Sequence, residues 1–391
     1  MRYPQIINSL IDTDLYKLTM CAAIAHKYPR AEVKYQFFNR GGNDFPEGFD
    51  VELREQVAAM SNLRLTALEK RYLQETCWYL PPTFLDLLSA YQFNPSEVGV
   101  TQDGGKLNIT ISGYWYRTVM WEVALMALIS QLYFMMTDKE GIQGKRAQLK
   151  EKNCAKAKLF ALNGTKVADF GTRRRYSFEN QLNVCKDFQS VFGSEKFFVG
   201  TSNPLIAMQL GIPVLGTHAH EWVSGIAALK GYAHAGKAMM DDWSDVYEGD
   251  LGTALTDTFG THAFLRDFTT KYAKLFDSVR HDSGDPYKFV DLIVAHYKKL
   301  RINPMDKTII FSDGLTTELA IELQEYCKGK IKCSFGIGTH LTNDVGVKAL
   351  NMVIKLVLID GHHVIKLSDD DGKEIGDEPT RKYVKWLLGI Q

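Results

Sequence analysis

The 391-residue sequence predicts an α/β protein built on a β/α barrel, together with a second α/β domain. From about residue 165 onward, short apolar runs of strand character end abruptly in Gly, Ser, Thr, Asp or His, and helical segments separate most of them. These runs are "KVADFGTRR", "KFFVGTSN", "IPVLGTHAHE", "TALTDTFGT", "DSVRHDSGDP", "KTIIFSDGL" and "KCSFGIGTH". Repetition of strand, polar end and helix indicates parallel β/α units.

Polar residues at nearly every strand end favour a barrel over an open doubly wound sheet. A barrel places its chemistry at the mouth formed by the carboxyl ends of all its strands, whereas an open sheet binds its ligand at one switch point. Glycine and aspartate also form ordinary turns, which explains "SDG" well. Three adjacent arginines in "DFGTRRRYS" are not turn chemistry, so this strand end indicates a binding site.

The two ends of the chain are predicted to form the second domain. Helical stretches and short strands mix in residues 1–137, and residues 346–391 contain "VIKLVLIDGHHVIKLSDD", which is typical of a strand pair. Residues 138–345 are assigned to the barrel. The apolar stretch "VMWEVALMALISQLYFMM" contains Glu122, Ser130 and Gln131, so we expect a buried core helix and not a membrane span.

Composition limits the partners and the compartment. Lys+Arg and Asp+Glu are both 46, and this balance gives no indication of nucleic acid binding. The six cysteines are scattered without a C-x-x-C pair, which is typical of free thiols in a reducing compartment. The N-terminal stretch "MRYPQIINSLIDTDLYKLTM" has no continuous apolar run. We therefore expect a cytoplasmic protein that acts on small molecules, without a membrane or nucleic acid partner.

The strand ends combine arginines, carboxylates and glycine turns. Arg173 and Phe170 share one strand end, where a guanidinium can grip a carboxylate or phosphate and an aromatic ring can stack on a flat ligand. Other strand ends add Arg280, Asp282 and Asp257. The loops "SDGL" and "GIGTHL" offer backbone N–H groups to a phosphate. Because magnesium diphosphate needs hard oxygen ligands and counter-charges together, the combination suits a sugar phosphate carrying a diphosphate.

"GTHAHEW" places His218 and His220 two residues apart, and on an extended segment both side chains point the same way. The pair fits a metal site of the amidohydrolase type, a phosphoryl-accepting nucleophile oriented by Glu221, or polar groups of the core. An amidohydrolase metal site would draw further ligands from His234, His262, His281, His340 and Asp313. That motif normally belongs to the first barrel strand, whereas at least two strands precede it here. Spacing alone leaves these alternatives open.

Taken together, the motifs resemble the nicotinate phosphoribosyltransferases. The resemblance covers most of the chain, and the order and number of the short motifs make it specific. They are "DTDLYKLTM", "WEVALMALISQLYF", "DFGTRRR", "GTSN", "GTHAHEW", "DTFGT", "RHDSGDP", "SDGL", "FGIGTHLTND" and "VIKLS".

The resemblance implies the irregular β/α barrel of the type II phosphoribosyltransferases, with an α/β domain formed by the chain ends. It implies a glycosyltransferase that joins nicotinate to phosphoribosyl diphosphate, giving nicotinate mononucleotide and diphosphate for NAD biosynthesis. It also implies Mg²⁺, coupling to ATP hydrolysis through a phosphohistidine, and a homodimer with active sites at the subunit interface.

The resemblance also implies roles for individual residues. His220 matches the phosphohistidine, Asp282 the ribose-binding carboxylate, and Asp257 the residue at the magnesium diphosphate. Phe170 and Tyr16 are expected to sandwich the pyridine ring, with Tyr16 reaching in from the partner subunit. Arg280 is expected to meet the nicotinate carboxylate near Arg173, and Thr217 to line the same end. The 5′-phosphate is assigned to Gly314, Gly338 and Thr339.

Ser202 is the position that separates near relatives. In "GTSN" it stands where nicotinamide-using relatives carry an aspartate, and a carboxylate there would repel nicotinate by several kcal/mol in a dry site. A neutral serine therefore favours the acid substrate. The alternatives are a metal-dependent amidohydrolase, a nicotinamide-using phosphoribosyltransferase, and a non-enzymatic barrel that senses phosphoribosyl compounds.

Overall fold

Parallel strands followed by helices recur through much of the chain in a computed structural model, which describes residues 2–192, 197–370 and 372–390. By their internal contacts the residues divide into two compact units. The first unit is Met1–Gly216 with Ile337–Lys355, and the second is Thr217–Gly336 with Leu356–Gln391. The predicted domain limits, residues 1–137 with 346–391 and residues 138–345, stay a prediction.

The helices and strands follow in chain order. Residues 1–216 contain α1 (Leu15–Lys27), β1 (Glu32–Asn39), α2 (Phe49–Met60), α3 (Ala67–Thr76), α4 (Pro82–Ala90), β2 (Val98–Asp103), β3 (Lys106–Tyr114), α5 (Trp115–Thr118), α6 (Trp121–Thr137), α7 (Arg146–Leu162), β4 (Val167–Asp169), α8 (Phe178–Phe192), β5 (Phe198–Thr201) and α9 (Pro204–Leu210). Residues 217–336 contain α10 (His220–Lys230), α11 (Ala235–Tyr247), β6 (Thr253–Leu255), α12 (Thr261–Asp267), α13 (Thr270–Leu275), β7 (Ser278–His281), α14 (Pro286–Lys299), β8 (Thr308–Phe311), α15 (Thr317–Cys327) and the start of β9 (Lys332–Ile337). The rest of the chain contains α16 (Thr339–Thr342), β10 (Met352–Ile359), β11 (His362–His363) and α17 (Glu378–Leu388).

An antiparallel sheet lies near the start of the first unit. Strand β3 pairs with both β1 and β2, with Tyr35 and Val98 both opposite Ile111. Side chains of β1 alternate between buried and exposed, as expected for a sheet with one face on the core. Helix α6 is buried around most of its circumference, and 78% of the most apolar 18-residue window within Trp115–Thr137 is buried inside the protein. The predicted core helix is confirmed.

The first unit also contains the parallel pair β4 and β5, in which Asp169 lies opposite Thr201. Helix α9 follows β5 directly, and the Asn203 side chain caps it by accepting from the backbone N–H groups of Leu205 and Ile206. The strand predicted in "IPVLG" is wrong in extent, since it is reduced to one bridge between Val214 and Thr201. Pro213 has no backbone N–H to extend the ladder.

Four parallel strands organise the second unit, in the order β6, β7, β8, β9. The register aligns Thr253 with Ser278, and Ser278 with Thr308. Helices α12, α14 and α15 follow β6, β7 and β8, so the predicted α/β class and its parallel β/α units are confirmed. Because neighbouring parallel strands end at the same edge, the residues that follow them are brought close together.

The predicted C-terminal strand pair is also confirmed. In the second unit, Leu358 pairs with His363 and Ile359 with His362 across the β10–β11 turn. The cysteines are free thiols, as the sequence predicted; they are Cys21, Cys77, Cys154, Cys185, Cys327 and Cys333.

Candidate active site

The residues predicted to form the site are divided between the two units. The second unit contains Thr217, His220, Asp257, Arg280, Asp282 and Gly314. The first unit contains Tyr16, Phe170, Arg173, Ser202, Gly338 and Thr339.

His220 is surrounded by polar groups that we call the histidine cluster, namely Thr258, Asp282, Lys366 and Asp257. Its Nδ1 lies 2.9 Å from the Thr258 hydroxyl. Its Nε2 lies 3.0 Å from Asp282 Oδ2 and 3.1 Å from Lys366 Nζ. Asp257 Oδ1 is 3.7 Å from the same nitrogen. Both ring nitrogens therefore face groups that can hold the imidazole in one orientation.

The histidine cluster is assembled by the ends of neighbouring strands and by the C-terminal segment. Asp257 and Thr258 follow β6, and Asp282 follows β7. Lys366 is 146 residues from His220 in the sequence and comes from the segment after β11. Sequence reasoning assigned no role to Lys366 or Thr258, although both lie in quoted motifs, "VIKLS" and "DTFGT".

The cluster keeps His220 neutral and Asp282 charged. Burial and the positive charge of Lys366 lower the pKa of His220 to about 4, so the imidazole is uncharged at pH 7. Burial raises the pKa of Asp282, but the Arg280 guanidinium and His220 outweigh it and hold that pKa well below the usual range. A neutral imidazole beside a carboxylate and an ammonium group is a competent nucleophile toward phosphorus.

Asp282 is anchored on its other oxygen. Arg280 donates from its terminal nitrogen to Asp282 Oδ1 at 3.0 Å and from Nε to Ser312 Oγ at 2.7 Å. The Ser312 hydroxyl itself donates to Asp282 Oδ1 at 2.5 Å. Arg280 and Ser312 thus fix the carboxylate that touches His220, and β7 and β8 deliver all three side chains to one edge of the sheet.

Asp257 has one satisfied oxygen and one unsatisfied oxygen. Its Oδ2 accepts from the Ser283 hydroxyl at 2.6 Å and lies 3.6 Å from Lys366 Nζ. Its Oδ1 is buried and has no hydrogen-bond partner among the residues that the structure describes. An unpaired buried acceptor costs about 1–3 kcal/mol, so a cation or donor bound there would be stabilising.

His218 and His220 lie in different environments. His220 is the first residue of α10, and the backbone of Ala219 between the two histidines is extended. His218 is 1% exposed, and its ring centroid lies 4.8 Å from that of Trp243. Within the described part of the chain, neither of its ring nitrogens has a hydrogen-bond partner. Burial, together with Arg280 and His220, lowers the pKa of His218 to about 3. Within residues 2–192, 197–370 and 372–390, no group of three or more His, Cys, Asp or Glu side chains could hold a metal ion.

Thr217 lies at the start of the second unit, and Gly314 follows β8. The Thr217 hydroxyl donates to the Thr253 carbonyl at 3.4 Å. Gly314 has a φ of +58°, a left-handed conformation that favours glycine. Its neighbour Asp313 accepts from Lys373 Nζ at 3.0 Å.

In the first unit, Ser202 contacts a carboxyl group. Its Oγ lies 2.6 Å from Asp14 Oδ1, and the Leu15 N–H donates to the Ser202 carbonyl at 2.7 Å. Asp14 is 2% exposed and Ser202 is 4% exposed. Burial raises the pKa of Asp14, which outweighs the opposing effects of Arg173 and of the hydroxyl groups around it. Sequence reasoning missed this contact, although "DTDLYKLTM" contains Asp14.

The backbones of Tyr16 and Phe170, the two residues predicted to bind the pyridine ring, are closely packed in the first unit. Tyr16 is buried in the first turn of α1, and a Cβ added at Gly216 would lie 3.1 Å from its backbone nitrogen. Phe170 is partly exposed, and its N–H donates to the Ile337 carbonyl at 2.9 Å. A Cβ at Gly338 would lie 3.5 Å from the Phe170 carbonyl oxygen. The turn after β9, which contains Gly338 and Thr339, therefore lies close to the backbone of Phe170.

The three arginines of "DFGTRRR" have different environments. Arg173 is partly exposed in a single helical turn. Arg174 donates from Nε to the Met352 carbonyl at 3.0 Å. Arg175 is fully buried and makes a bidentate pair with Asp12 at 2.6 and 2.7 Å. Arg175 therefore stabilises the first unit and does not face water or an incoming diphosphate.

Comparisons with known proteins extend over nearly the whole chain. A profile of the nicotinate phosphoribosyltransferase family matches residues 165–390, and one of its N-terminal domain matches residues 11–130. A nicotinate phosphoribosyltransferase of Desulforapulum autotrophicum is 47% identical over 95% of this chain and 96% of its own. One of Chromohalobacter salexigens is 45% identical over 98% and 99%. The crystal structure of the Porphyromonas gingivalis enzyme superposes with a TM-score of 0.95, at 43% identity over 98% of this chain and 100% of that one.

Proposed function

The chain belongs to the nicotinate phosphoribosyltransferase family, and from this premise we propose that it joins nicotinate to phosphoribosyl diphosphate with coupled ATP hydrolysis. The products are nicotinate mononucleotide and diphosphate, a step of NAD biosynthesis. The single observation that carries the energy coupling is the histidine cluster, in which a neutral His220 contacts Asp282 and Lys366.

The transfer to ribose depends on positioning and charge. Diphosphate leaves from C1 of the ribose, positive charge develops on the sugar, and the pyridine nitrogen attacks the same carbon. Asp282, held ionised by Arg280, is suited to the ribose and to that developing charge. We assign binding of the pyridine ring to Phe170 and Tyr16. We assign binding of the nicotinate carboxylate to Arg280 and Arg173, with Thr217 lining the same end of the site.

The coupling step transfers the γ-phosphoryl group of ATP to His220. A bond forms between phosphorus and an imidazole nitrogen, the bond to the β-phosphate oxygen breaks, and ADP leaves. Water later cleaves the phosphoryl–nitrogen bond and releases inorganic phosphate. Lys366 Nζ, 3.1 Å from His220, is positioned to offset the negative charge of the phosphoryl group.

Asp257 is the residue suited to a magnesium ion. Its unsatisfied, buried Oδ1 is a hard oxygen ligand beside the histidine cluster. Magnesium binds through few protein carboxylates and completes its shell with phosphate oxygens and water, which agrees with a single available carboxylate. When bound, it would neutralise diphosphate. Phosphate is assigned to Gly314, Gly338 and Thr339.

Two further features of the proposal concern assembly and compartment. We propose a homodimer in which the partner's Tyr16 stacks on the pyridine ring. The free thiols support a reducing compartment, and we propose the cytoplasm.

The proposal is tested by incubating the purified protein with nicotinate, phosphoribosyl diphosphate, Mg²⁺ and ATP, and measuring nicotinate mononucleotide by chromatography. Incubation with γ-labelled ATP should give a base-stable, acid-labile label on the protein. His220→Ala should abolish the label. The matched control His234→Ala removes an exposed histidine of the same unit and should retain it.

The outcomes separate the parts of the proposal. Failure to form the mononucleotide under any condition would contradict the transferase. Mononucleotide formation without label would contradict the phosphohistidine alone. A preference for nicotinamide over nicotinate would contradict the role given to Ser202, and a monomer in analytical ultracentrifugation with full activity would contradict the shared site.

A further inference from the structure

The side chain of Asp14 has a placement that helix capping does not explain. Asp14 is the N-cap residue of α1, a position at which aspartate usually accepts a hydrogen bond from the helix backbone. No such bond is made. The side chain instead contacts the Ser202 hydroxyl at 2.6 Å, and both residues are buried. A capping bond is typically worth about 1 kcal/mol, so the turn toward Ser202 is not the arrangement that best stabilises the helix.

We infer that Asp14, acting through the Ser202 hydroxyl, takes up a proton when nicotinate binds and so helps the protein to accept a carboxylate substrate. The inference rests on the proposed function. It deepens that function by assigning a positioning residue to the substrate's acid group.

The hydrogen-bond chemistry of the pair allows two arrangements. When Asp14 is ionised, the Ser202 hydroxyl donates to it, and Ser202 then offers only lone pairs to a third group. When Asp14 is protonated, its own O–H donates to Ser202 Oγ, and the serine proton is free to point elsewhere. A carboxylate is an acceptor only, so nicotinate fits the protonated arrangement and is repelled by the ionised one.

The charges around Asp14 favour the same outcome. Burial raises its pKa, and Arg173 is the cation that opposes this rise. Asp169, another buried carboxyl group, carries charge of the same sign as Asp14. The hydroxyl groups of Thr172 and Tyr16 also lower the pKa of Asp14, but burial has the larger effect. A nicotinate carboxylate that engages Arg173 would share the positive charge that favours ionised Asp14. The negative charge of the carboxylate would raise the pKa of Asp14 further.

The pH dependence follows from this linkage. Below the pKa of Asp14 in the free protein, the acid is already protonated and nicotinate binds without proton uptake. Above that pKa, binding requires a proton, so the affinity for nicotinate falls by up to about tenfold per pH unit until the pKa of the complex is reached. Nicotinamide carries no charge at this position and should show no such loss.

The test compares wild type with Asp14→Asn across pH 5 to 9, at saturating phosphoribosyl diphosphate and ATP. The asparagine amide donates to Ser202 Oγ at every pH and imitates protonated aspartic acid. The ratio of kcat/KM for nicotinate, variant over wild type, should rise with pH by up to about tenfold per unit, mainly through KM. Titration groups elsewhere, His220 among them, cancel in this ratio.

Two controls and one direct measurement complete the test. Asp86→Asn removes an exposed carboxylate of the same unit and should give a constant ratio near one. Ser202→Ala disconnects Asp14 from the substrate and should raise KM for nicotinate. Calorimetric titration of the wild type with nicotinate, in buffers of equal pH and different ionisation enthalpy, should show uptake of up to one proton. This measurement remains decisive if Asp14→Asn does not fold.

A constant ratio for Asp14→Asn, or binding without proton uptake throughout this pH range, would overturn the inference while leaving the transferase intact. A wild-type protein that forms no mononucleotide at any pH would overturn the proposed function instead. A uniform loss of kcat with an unchanged pH profile would assign Asp14 a purely structural role and would also contradict the inference.

Discussion

Asp14 and Asp282 are two aspartates whose pKa values are shifted in opposite directions by the folded protein. Asp14 is 2% exposed and contacts a serine hydroxyl, and the positive charge of Arg173 does not offset the effect of burial on its pKa. The Asp282 side chain is 21% exposed and is bonded to Arg280, Ser312 and His220. The pKa is raised for the first carboxyl group and strongly lowered for the second.

The difference shows that contact with an opposite charge, and not burial alone, decides what a buried carboxyl group can do. Asp282 is suited to hold a negative charge against the ribose and the histidine. Asp14 is suited to hold a proton. A third aspartate, Asp12, has a structural role, because it makes a bidentate pair with the buried Arg175.

The largest expected effect concerns that structural role. Asp12→Ala leaves the Arg175 guanidinium buried without its partner, so we expect a loss of about 3–5 kcal/mol in the free energy of unfolding, measured by urea denaturation. The control Asp86→Ala breaks an exposed pair with Lys70 and should change stability by less than about 1 kcal/mol. Equal effects of the two variants would show that the Asp12–Arg175 pair is not needed for the fold.

Asp282→Asn tests the carboxylate that holds charge. We expect kcat/KM to fall about 10²-fold, since the amide keeps the shape but loses the charge facing Arg280 and His220. Asp285→Asn is the matched control, because it lies in the same loop and asparagine still caps α14. Near-normal activity of Asp282→Asn in steady-state assays would remove this carboxylate from the reaction.

The two aspartates should also affect stability with opposite pH dependence. The pKa of Asp282 is lowered in the folded protein, so it stabilises the fold above its unfolded pKa, and this stability is lost as pH falls through the folded pKa. The pKa of Asp14 is raised, so the fold is weakened as pH rises through the interval between the unfolded and folded values. Each pKa unit of difference between the folded and unfolded states changes the free energy of unfolding by about 1.4 kcal/mol.

Urea denaturation of Asp14→Asn and Asp282→Asn between pH 3 and pH 8 measures this contrast. Relative to wild type, Asp14→Asn should gain stability as pH rises, whereas Asp282→Asn should lose it. Parallel curves for the two variants would mean that the two carboxyl groups do not differ in the folded protein.

The smallest expected effect concerns the Thr258 hydroxyl. Thr258→Val removes its contact with His220 Nδ1, so the imidazole is less firmly oriented, and labelling by γ-labelled ATP should slow about fivefold to tenfold. Thr258→Ser keeps the hydroxyl and should restore the rate. No recovery in the serine variant would indicate that packing of the threonine methyl group, and not the hydrogen bond, orients the histidine.

Much of the architecture could be predicted because it depends on local patterns. Strand runs with polar ends identified β4 to β9, and the strand pair β10–β11 followed from alternation around a glycine turn. The segment around Pro213 was less predictable, since an apolar run does not reveal that one missing N–H limits the ladder to a single bridge. The start of α10 at His220 was likewise hidden inside an apparently extended motif.

The site was predictable in its residue types but not in its pairings. His220, Asp282 and Arg280 stood out because ionisable groups follow strand ends. Lys366 and Asp14 did not, because their partners lie 146 and 188 residues away in the sequence. The structural role of Arg175 depends on Asp12, 163 residues away in the sequence, which no local spacing can indicate.

The late position of Lys366 has a consequence for biosynthesis. A ribosome must release nearly the entire polypeptide before this ammonium group can reach His220, although the histidine itself emerges far earlier. Incomplete translation products that end before this lysine would carry an imidazole lacking its neighbouring cation. Under the proposed phosphorylation of His220, we expect such fragments to be poor phosphoryl acceptors.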